Sequence, residues 1–258
     1  RERFVLRSEI ISELRKALSE EGYLEVETPM LQPLPGGALA EPFKTHHKAL
    51  DIDLYLRIAP ELYLKELLVG GFHKVYELGQ NFRNEGIDVT HNPEFTMLEY
   101  YEAYSDADKQ MVFVEKLVKR VVKKTVKKNE IFYDGQKIDL GKKFAKVAYF
   151  DLLKRYALII NPNSITREEL AIKAKQLAVP VSGAEAREKI MDNIYKKACR
   201  PKLIQPTFII DYPAVSSPFA KRKENNPDLI DRFQLVVGGL EIVNAFVKLN
   251  DPIDQRGR

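Results

Sequence analysis

The chain opens with apolar residues that recur at helical spacing. Within 3–21 they are Phe4, Ile10, Ile11, Leu14, Ala17 and Leu18. Residues three or four positions apart share one helix face, so this pattern predicts an amphipathic helix that Gly22 ends. The next segment, YLEVE at 23–27, predicts a strand that Thr28 and Pro29 stop.

Helical and alternating segments follow one another along the rest of the chain. The helices are expected at 60–71, 105–128, 148–156, 165–178 and 185–199. The strands are expected at 74–82, 94–104, 206–213, in a hairpin over 130–140, and as a pair within 232–251 that breaks at Gly238 and Gly239. Ser105 is the expected cap of the long helix, and Asp134-Gly135 is typical of a hairpin turn. Strands that neighbour one another, with helices elsewhere, predict one α+β domain over 1–258, an antiparallel sheet flanked by helices.

The amino-acid composition excludes several classes of protein. Hydrophobic residues make up 45% of the 258 positions and aromatic residues 10%, which excludes a disordered chain. No apolar run approaches the roughly 20 residues of a membrane span. Cys199 is the only cysteine, so neither a disulfide framework nor a cysteine-based zinc site is expected. The cytoplasm is the default location.

The formal net charge of +4 owes much to one basic run at 119–128. Basic residues favour the C-terminal end of a helix, so a solvated helical face is the preferred interpretation. Contact with nucleic-acid phosphates is the alternative.

Polar groups concentrate between the strands at 74–82 and 94–104. Strand parity puts Arg83 and Glu85 on one face, and Phe95, Glu99 and Tyr101 on one face of the returning strand. A surface ion pair between Arg83 and Glu85 or Glu99 would explain two of these polar side chains, but it would not explain the others in the same hairpin. The chain has no glycine-rich phosphate loop of the GxxxxGK[ST] or GxGxxG type. A nucleotide would therefore be held by side chains on strands and loops.

A second set of candidates follows from alternation near the end of the chain. Val243, Ala245, Val247 and Leu249 alternate as an apolar face. Asn244, Phe246 and Lys248 then share the opposite face, which we expect to line a cleft.

The tract FRNEGIDVTHNPEFTMLEYY (82–101) resembles the second signature motif of class II aminoacyl-tRNA synthetases, in the form typical of lysyl-tRNA synthetases. The segment GYLEVETPML (22–31) is similar to the first motif of that family, which forms its dimer. PGGALAEPFKTHH, SPFAK and EIVNAFVKLNDPIDQR continue the resemblance in the family's order, over essentially the whole chain. The combination FRNEG and THNPEF favours the lysyl branch over the aspartyl and asparaginyl branches.

The resemblance implies an ATP site. Arg83 would bridge the amino-acid carboxylate and the α-phosphate, because a forked guanidinium suits two anions. Glu85 would accept a hydrogen bond from the adenine amino group, and Phe95 would stack on the adenine. His91 and Asn92 would lie beside the phosphates and the base.

The resemblance also implies an amino-acid pocket. Gly37, Glu61 and Glu99 would surround the substrate α-amino group, while Tyr101 reaches toward its ε-ammonium. The remaining implied residues are Asn244 and Phe246 in the same pocket and Glu241 as a magnesium ligand. Three glutamates suit a cationic substrate and a metal-bound polyphosphate. The implied activity is formation of lysyl-adenylate from lysine and ATP with Mg²⁺, followed by transfer to the acceptor end of tRNA(Lys), in a homodimer.

Two positions depart from the family pattern. Gln234 stands where a second metal-ligating glutamate is usual, and Lys248 where a carboxylate recognises the ε-ammonium. The resemblance also stops before the family's third motif and includes no anticodon-binding OB-fold. We therefore expect a catalytic core, of low activity as this chain alone.

Two other functions stay open. One is a ligase that forms an aminoacyl-adenylate but modifies a protein lysine. The other is a non-catalytic paralogue that dimerises or senses an amino acid, which Gln234 favours. Arg83, Glu85, Phe95 and Glu241 favour an intact ATP site.

Overall fold

The computed structural model describes residues 1–257. Contacts group them into two compact units, unit 1 at residues 1–104 and unit 2 from Ser105 onward, each described by itself below. Mixed helices and strands with antiparallel sheets confirm the α+β class. The single domain over 1–258 stays a prediction.

Unit 1 consists of two small sheets and two helices. Its elements are α1 (Glu2–Glu20), β1 (Leu24–Glu25), β2 (Leu31–Gln32), β3 (Lys44–His47), β4 (Ile52–Leu56), α2 (Glu61–Val69), β5 (Lys74–Phe82) and β6 (Glu94–Glu102). The strands β5 and β6 pair antiparallel along their whole length, and β1 joins β5 in parallel. The other sheet has the order β2-β4-β3. The β5–β6 ladder pairs Glu77 with Glu99 and Asn81 with Phe95, so polar and aromatic side chains share one face.

Unit 2 surrounds a four-stranded sheet with helices. Its elements are α3 (Ala107–Thr125), β7 (Glu130–Tyr133), β8 (Gln136–Asp139), β9 (Ala145–Ala148), α4 (Tyr149–Ala157), α5 (Arg167–Gln176), α6 (Arg187–Ile194), β10 (Thr207–Ile210), β11 (Tyr212–Pro213), β12 (Arg222–Lys223), β13 (Asn226–Ile230), β14 (Arg232–Val237), β15 (Leu240–Phe246) and α7 (Pro252–Gly257). The sheet has the order β15-β14-β10-β9, antiparallel except for β9 beside β10. A π-helical turn, Tyr195–Cys199, continues α6.

The core of unit 2 lies between the helices α4, α5 and α6 and the sheet. Fully buried members include Leu152, Leu153, Leu170, Ile190 and Ile194. These apolar residues fall at helical spacing, which is why the sequence pattern located the three helices. Among residues 1–257, no helix has both the length and the apolar character needed to cross a bilayer.

Local chemistry explains where the elements begin and turn. The Asp106 side chain, and not Ser105, caps α3 by accepting from the Lys109 amide at 2.8 Å, so the predicted cap was wrong by one residue. Asp134 and Gly135 both have positive φ, 47° and 70°, as the predicted hairpin turn requires. The predicted strand at 206–213 is interrupted by Asp211, at φ 58°, and its end joins another sheet.

Cys199 should resist thiol reagents in the folded protein. Its side chain is fully buried, and burial raises the pKa of the thiol to about 12. Because the thiolate is the nucleophile, a raised pKa leaves almost none of it at pH 8. We expect Ellman's reagent to label no thiol in the native protein and one per chain in urea. Fast labelling without urea would contradict this burial.

Candidate active site

Gly37 lies against the first turn of α2. Its φ is +85°, and a Cβ at this position would be 2.9 Å from Glu61 Cβ and 3.2 Å from Ala59 Cβ. Only glycine permits this backbone conformation and approach without strain. The structure therefore brings together Gly37 and Glu61, two residues that the family resemblance assigns to one pocket.

Glu99 and Tyr101 follow each other on one face of β6. The Tyr101 hydroxyl donates to Glu99 Oε1 at 2.6 Å. Burial, and then the charges of Glu99 and Glu61, raise the pKa of Tyr101 well above its usual value. The phenol therefore stays protonated and donating. We call Gly37, Glu61, Glu99 and Tyr101 the acidic cluster. Two carboxylates beside a buried phenol favour a cationic ligand.

Arg83 stands beside Phe95. Its backbone amide donates to Pro93 O at 2.8 Å and closes the loop, while Nε donates to Ile58 O at 3.4 Å. The guanidinium carbon is 5.1 Å from the Phe95 ring centroid, within cation–π range. The strand β5 ends at Phe82, so Arg83 and Glu85 lie in the loop and not on a strand face as predicted. Loop closure, not strand parity, places Arg83.

Asp88 organises the loop that carries the other predicted nucleotide contacts. Its Oδ1 accepts from the Thr90 amide at 2.6 Å and from the His91 amide at 2.9 Å, and the His91 ring nitrogen Nδ1 lies 2.9 Å away. These hydrogen bonds, the Thr90 amide first, lower the pKa of the Asp88 carboxyl. Glu85, His91 and Asn92 are exposed on this loop. Asp88 was not among the residues predicted from the sequence, although an Asp two residues before a Thr is typical of an Asx turn.

A buried ion pair supports unit 1 beneath these residues. Arg57 is fully buried, and its Nη1 donates to Glu77 Oε1 and to Thr28 Oγ1, the latter at 3.1 Å. Arg57 Nε donates to Gln80 O at 2.9 Å, and Thr28 Oγ1 donates to Glu77 Oε2 at 2.6 Å. We call Thr28, Arg57 and Glu77 the buried polar network. It joins the end of the first-motif segment to β4 and β5.

Gly79 gives this guanidinium its space. A Cβ there would lie 2.4 Å from Arg57 Nη2, too close for any side chain. Arg57, Glu77 and Gly79 were not among the residues predicted from the sequence. Their signal was a single charged residue within each of two otherwise apolar segments, LYLRIAP and VYELG.

The remaining candidates lie in unit 2. Gln234 on β14 is only 5% exposed, and its Nε2 donates to Glu241 Oε2 at 2.9 Å. Asn244 is the cross-strand partner of Gln234, and its Oδ1 accepts from Arg232 Nε at 3.1 Å. The structure thus assembles Gln234, Glu241 and Asn244 on one face.

A β-bulge makes that grouping possible. The register between β14 and β15 shifts between Leu235 and Val236, so Leu235 pairs with Val243 but Val236 pairs with Glu241. Simple alternation would put Glu241 and Asn244 on opposite faces. The extra residue re-aims the Glu241 side chain toward Gln234.

Lys248 and Phe246 contact each other. The strand β15 ends at Phe246, and Lys248 continues the extended chain through a single bridge to Ala220. Lys248 Nζ lies 4.0 Å from the Phe246 ring centroid, a cation–π contact. The predicted common face of Phe246 and Lys248 agrees with this contact.

Gln234 and Glu241 do not form a metal-ligand set. Nowhere in the part of the chain that the structure describes do three His, Cys, Asp or Glu side chains gather closely enough to hold a metal ion. Glu241 faces an amide N–H donor of Gln234, which cannot ligate a cation. Gln234 and Glu241 therefore do not fit the magnesium pair that the family resemblance implied.

The chain belongs to the family of class II tRNA synthetases (D, K and N), whose family model matches residues 1–258. It is 49% identical over 258 residues to the lysine–tRNA ligase of Carboxydothermus hydrogenoformans, covering 100% of this chain and 53% of that protein. The lysine–tRNA ligase of Pelotomaculum thermopropionicum is 49% identical over 261 residues, with coverages of 100% and 51%. That of Aquifex aeolicus is 46% identical over 256 residues, with coverages of 99% and 43%. The chain spans about half the length of the curated relatives it matches.

Glu77→Gln should strongly destabilise unit 1. Removing one partner leaves the Arg57 guanidinium charged and buried without its counter-ion, which typically costs about 3–5 kcal/mol. Urea unfolding would measure the loss. Asp53→Asn, at an exposed carboxylate that pairs with Lys44 in the same unit, is the matched control and should change stability little. Equal effects of the two substitutions would refute the structural role of the buried pair.

Proposed function

We propose that the protein to which this chain belongs activates lysine with ATP and transfers it to tRNA(Lys). The observation that carries the proposal is the acidic cluster, in which Tyr101 donates to Glu99 and lies within the electrostatic influence of Glu61, the residue against which Gly37 packs. These are the residues to which the family resemblance assigns the amino-acid substrate. Relatives named lysine–tRNA ligase, at 46–49% identity, support the same substrate.

The proposed first step needs no base from the protein. The lysine carboxylate attacks the α-phosphorus of ATP, pyrophosphate leaves, and the product is lysyl-adenylate. Arg83 would contact both reacting anions and neutralise their charge, which suits a guanidinium held by Ile58 O on one side and Phe95 on the other. Catalysis is then positioning and charge stabilisation. In the second step a tRNA ribose hydroxyl takes the lysyl group.

The nucleotide would lie along the loop that Asp88 organises. Glu85 would accept from the adenine amino group and Phe95 would stack on the adenine ring. His91, with its ring held by Asp88, and Asn92 would contact the phosphates and the base. Magnesium would come with the ATP phosphates, whose charge it shields, and no step is assigned to a metal held by Gln234 and Glu241.

Lysine recognition would rest on the acidic cluster. Its α-amino group would lie near Gly37 and Glu61, and its ε-ammonium near Tyr101 and Glu99. A unit charge about 4 Å from a carboxylate gains roughly 4 kcal/mol at an effective dielectric near 20. In unit 2 the Lys248 ammonium rests on the Phe246 ring, so we assign Lys248 no role in lysine recognition. We place the protein in the cytoplasm, where tRNA is charged.

We further propose that the chain forms a homodimer through α1 and the segment ending at Pro29. The helix α1 buries only Ala17 and Leu18 within unit 1, while Phe4 is 79% exposed and Val5 51%. A largely apolar groove beside it is lined by Leu6, Ile10, Ile11, Leu14, Leu78 and Leu98, together with Arg3, Arg7 and Thr96. So much apolar surface on one helix is typical of an interface.

A non-catalytic, amino-acid-sensing role is the second candidate. Lys248 and Gln234 favour it, because each replaces a carboxylate that the family resemblance assigns to the reaction. Such a protein would bind lysine without exchanging pyrophosphate into ATP.

Substrate choice tests the proposed activity. ATP–pyrophosphate exchange should be measured on the chain extended to the length of its relatives, with lysine, its neutral analogue norleucine, and glutamate. Lysine alone should support exchange. Glu99→Gln should lower kcat/KM for lysine by about 30-fold or more, the loss expected when one partner of a buried charge pair is removed.

Lys248→Glu serves as the control for that assay. We expect the variant to keep lysine as its preferred substrate. If the parent protein rejects lysine and the variant accepts it, the proposal is wrong and Lys248 sets a different specificity. Lysine binding without exchange would favour the sensing role.

The dimer makes a separate prediction. Sedimentation at micromolar concentration should show a dimer for the parent and a monomer for Leu6→Glu, which places a charge in the apolar groove. Val112→Glu is the matched control, since Val112 is 53% exposed on α3 in unit 2. It should stay dimeric. A parent that sediments only as a monomer would exclude this interface.

A further inference from the structure

Both polar atoms of the Gln234 side-chain amide have hydrogen-bond partners. Its Oε1 accepts from the Tyr212 hydroxyl at 2.5 Å and from the Tyr195 hydroxyl at 3.3 Å. Its Nε2 donates to Glu241 Oε2 at 2.9 Å. An amide oxygen has two acceptor sites, and two hydroxyls occupy both. The amide is therefore fixed with its nitrogen toward Glu241.

The fold holds the two tyrosines rigidly. Tyr195 opens the π-helical turn and Tyr212 forms β11, and they are only 1% and 3% exposed. Both rings pack on Tyr149, at centroid distances of 5.1 and 4.8 Å. Burial raises the pKa of Tyr195 to about 12 and that of Tyr212 well above its usual value. The hydroxyls therefore stay protonated, as the hydrogen bonds to Gln234 require.

The Glu241 carboxylate therefore accepts a hydrogen bond from the Gln234 amide at the position where a metal-binding carboxylate would contact a cation. Its side chain is 28% exposed, and the Arg200 guanidinium lies 3.9 Å from the same Oε2. Mg²⁺ and Mn²⁺ need oxygen ligands in a compact shell. The oxygen of Gln234 points away from Glu241, toward the tyrosines. A cation here would have one protein carboxylate and would have to displace the amide.

We propose that Gln234, locked by Tyr195 and Tyr212, takes the place of a metal ion at Glu241. The amide orients the carboxylate through a neutral hydrogen bond. The pair then binds no divalent cation of its own. This inference deepens the proposed function, but its test needs neither lysine nor tRNA.

Metal binding without nucleotide tests the inference. Wild type, Gln234→Glu and Glu241→Gln would be titrated with MnCl₂, following free Mn²⁺ by electron paramagnetic resonance and the melting temperature by calorimetry. Wild type and Glu241→Gln should bind no Mn²⁺ at millimolar concentration, and their melting temperatures should not change. Gln234→Glu should bind Mn²⁺ at least tenfold more tightly than wild type, because it restores a second carboxylate oxygen.

The same variant has a stability signature. Gln234→Glu places two carboxylates together in a buried site, so it should melt lower than wild type in EDTA. Bound Mn²⁺ should restore the loss, since a ligand of the native state stabilises it. Gln32→Glu is the matched control: Gln32 is a buried glutamine in unit 1, 3% exposed. It should melt lower with no recovery in Mn²⁺.

Two results would overturn the inference. Wild type that binds Mn²⁺, with the binding lost in Glu241→Gln, would show that the existing pair is already a metal site. Gln234→Glu that folds but binds no better than wild type would show that the amide is not what excludes the cation. If Gln234→Glu does not fold, the wild type and Glu241→Gln titrations still decide: no binding to either supports the inference.

Discussion

Unit 1 depends on one buried ion pair. Removing Arg57 and Glu77 from water is costly, and the cost is met only because nearly every polar atom of the pair finds a partner. Those partners come from distant segments: Thr28 after the first strand, and Gln80 on β5. The main chain of Arg57 adds hydrogen bonds to Met30 and Phe82. The pair therefore fixes where three segments meet.

The candidate site of unit 1 extends from this junction. Ile58, the residue after Arg57, supplies the carbonyl that holds Arg83, and α2 begins three residues later at Glu61. Glu77 lies opposite Glu99 in the β5–β6 ladder, so the same strand that carries the buried charge also supports the acidic cluster. The buried Arg57–Glu77 pair, which contacts no substrate, thus helps to position Arg83 and the acidic cluster, which we propose do contact substrates.

Sequence patterns located the helices and the long β5–β6 hairpin because both have strong periodicity over many residues. They missed the short strands, such as β3, whose four residues are all exposed and show no apolar alternation. Site residues within one strand, Glu99 and Tyr101, could be grouped by parity. Arg83 and Glu241 could not, because a loop closure and a bulge place them. Asp88 and Arg57 were missed because a hydrogen-bonded loop and a buried ion pair give them their roles, and neither feature produces a periodic pattern in the sequence.

The bulge on β15 also means that residue count, and not only residue identity, encodes the polar face of unit 2. If the same residues paired in simple register beyond Leu235, Val236 would lie opposite Ile242 and Glu241 would lie opposite Val237. The Glu241 carboxylate would then turn to the sheet face away from Gln234 and Asn244. One further residue inserted between Glu241 and Asn244 would have the same effect unless the bulge accommodated it too. The number of residues in this segment therefore matters to the polar face as much as the glutamate itself.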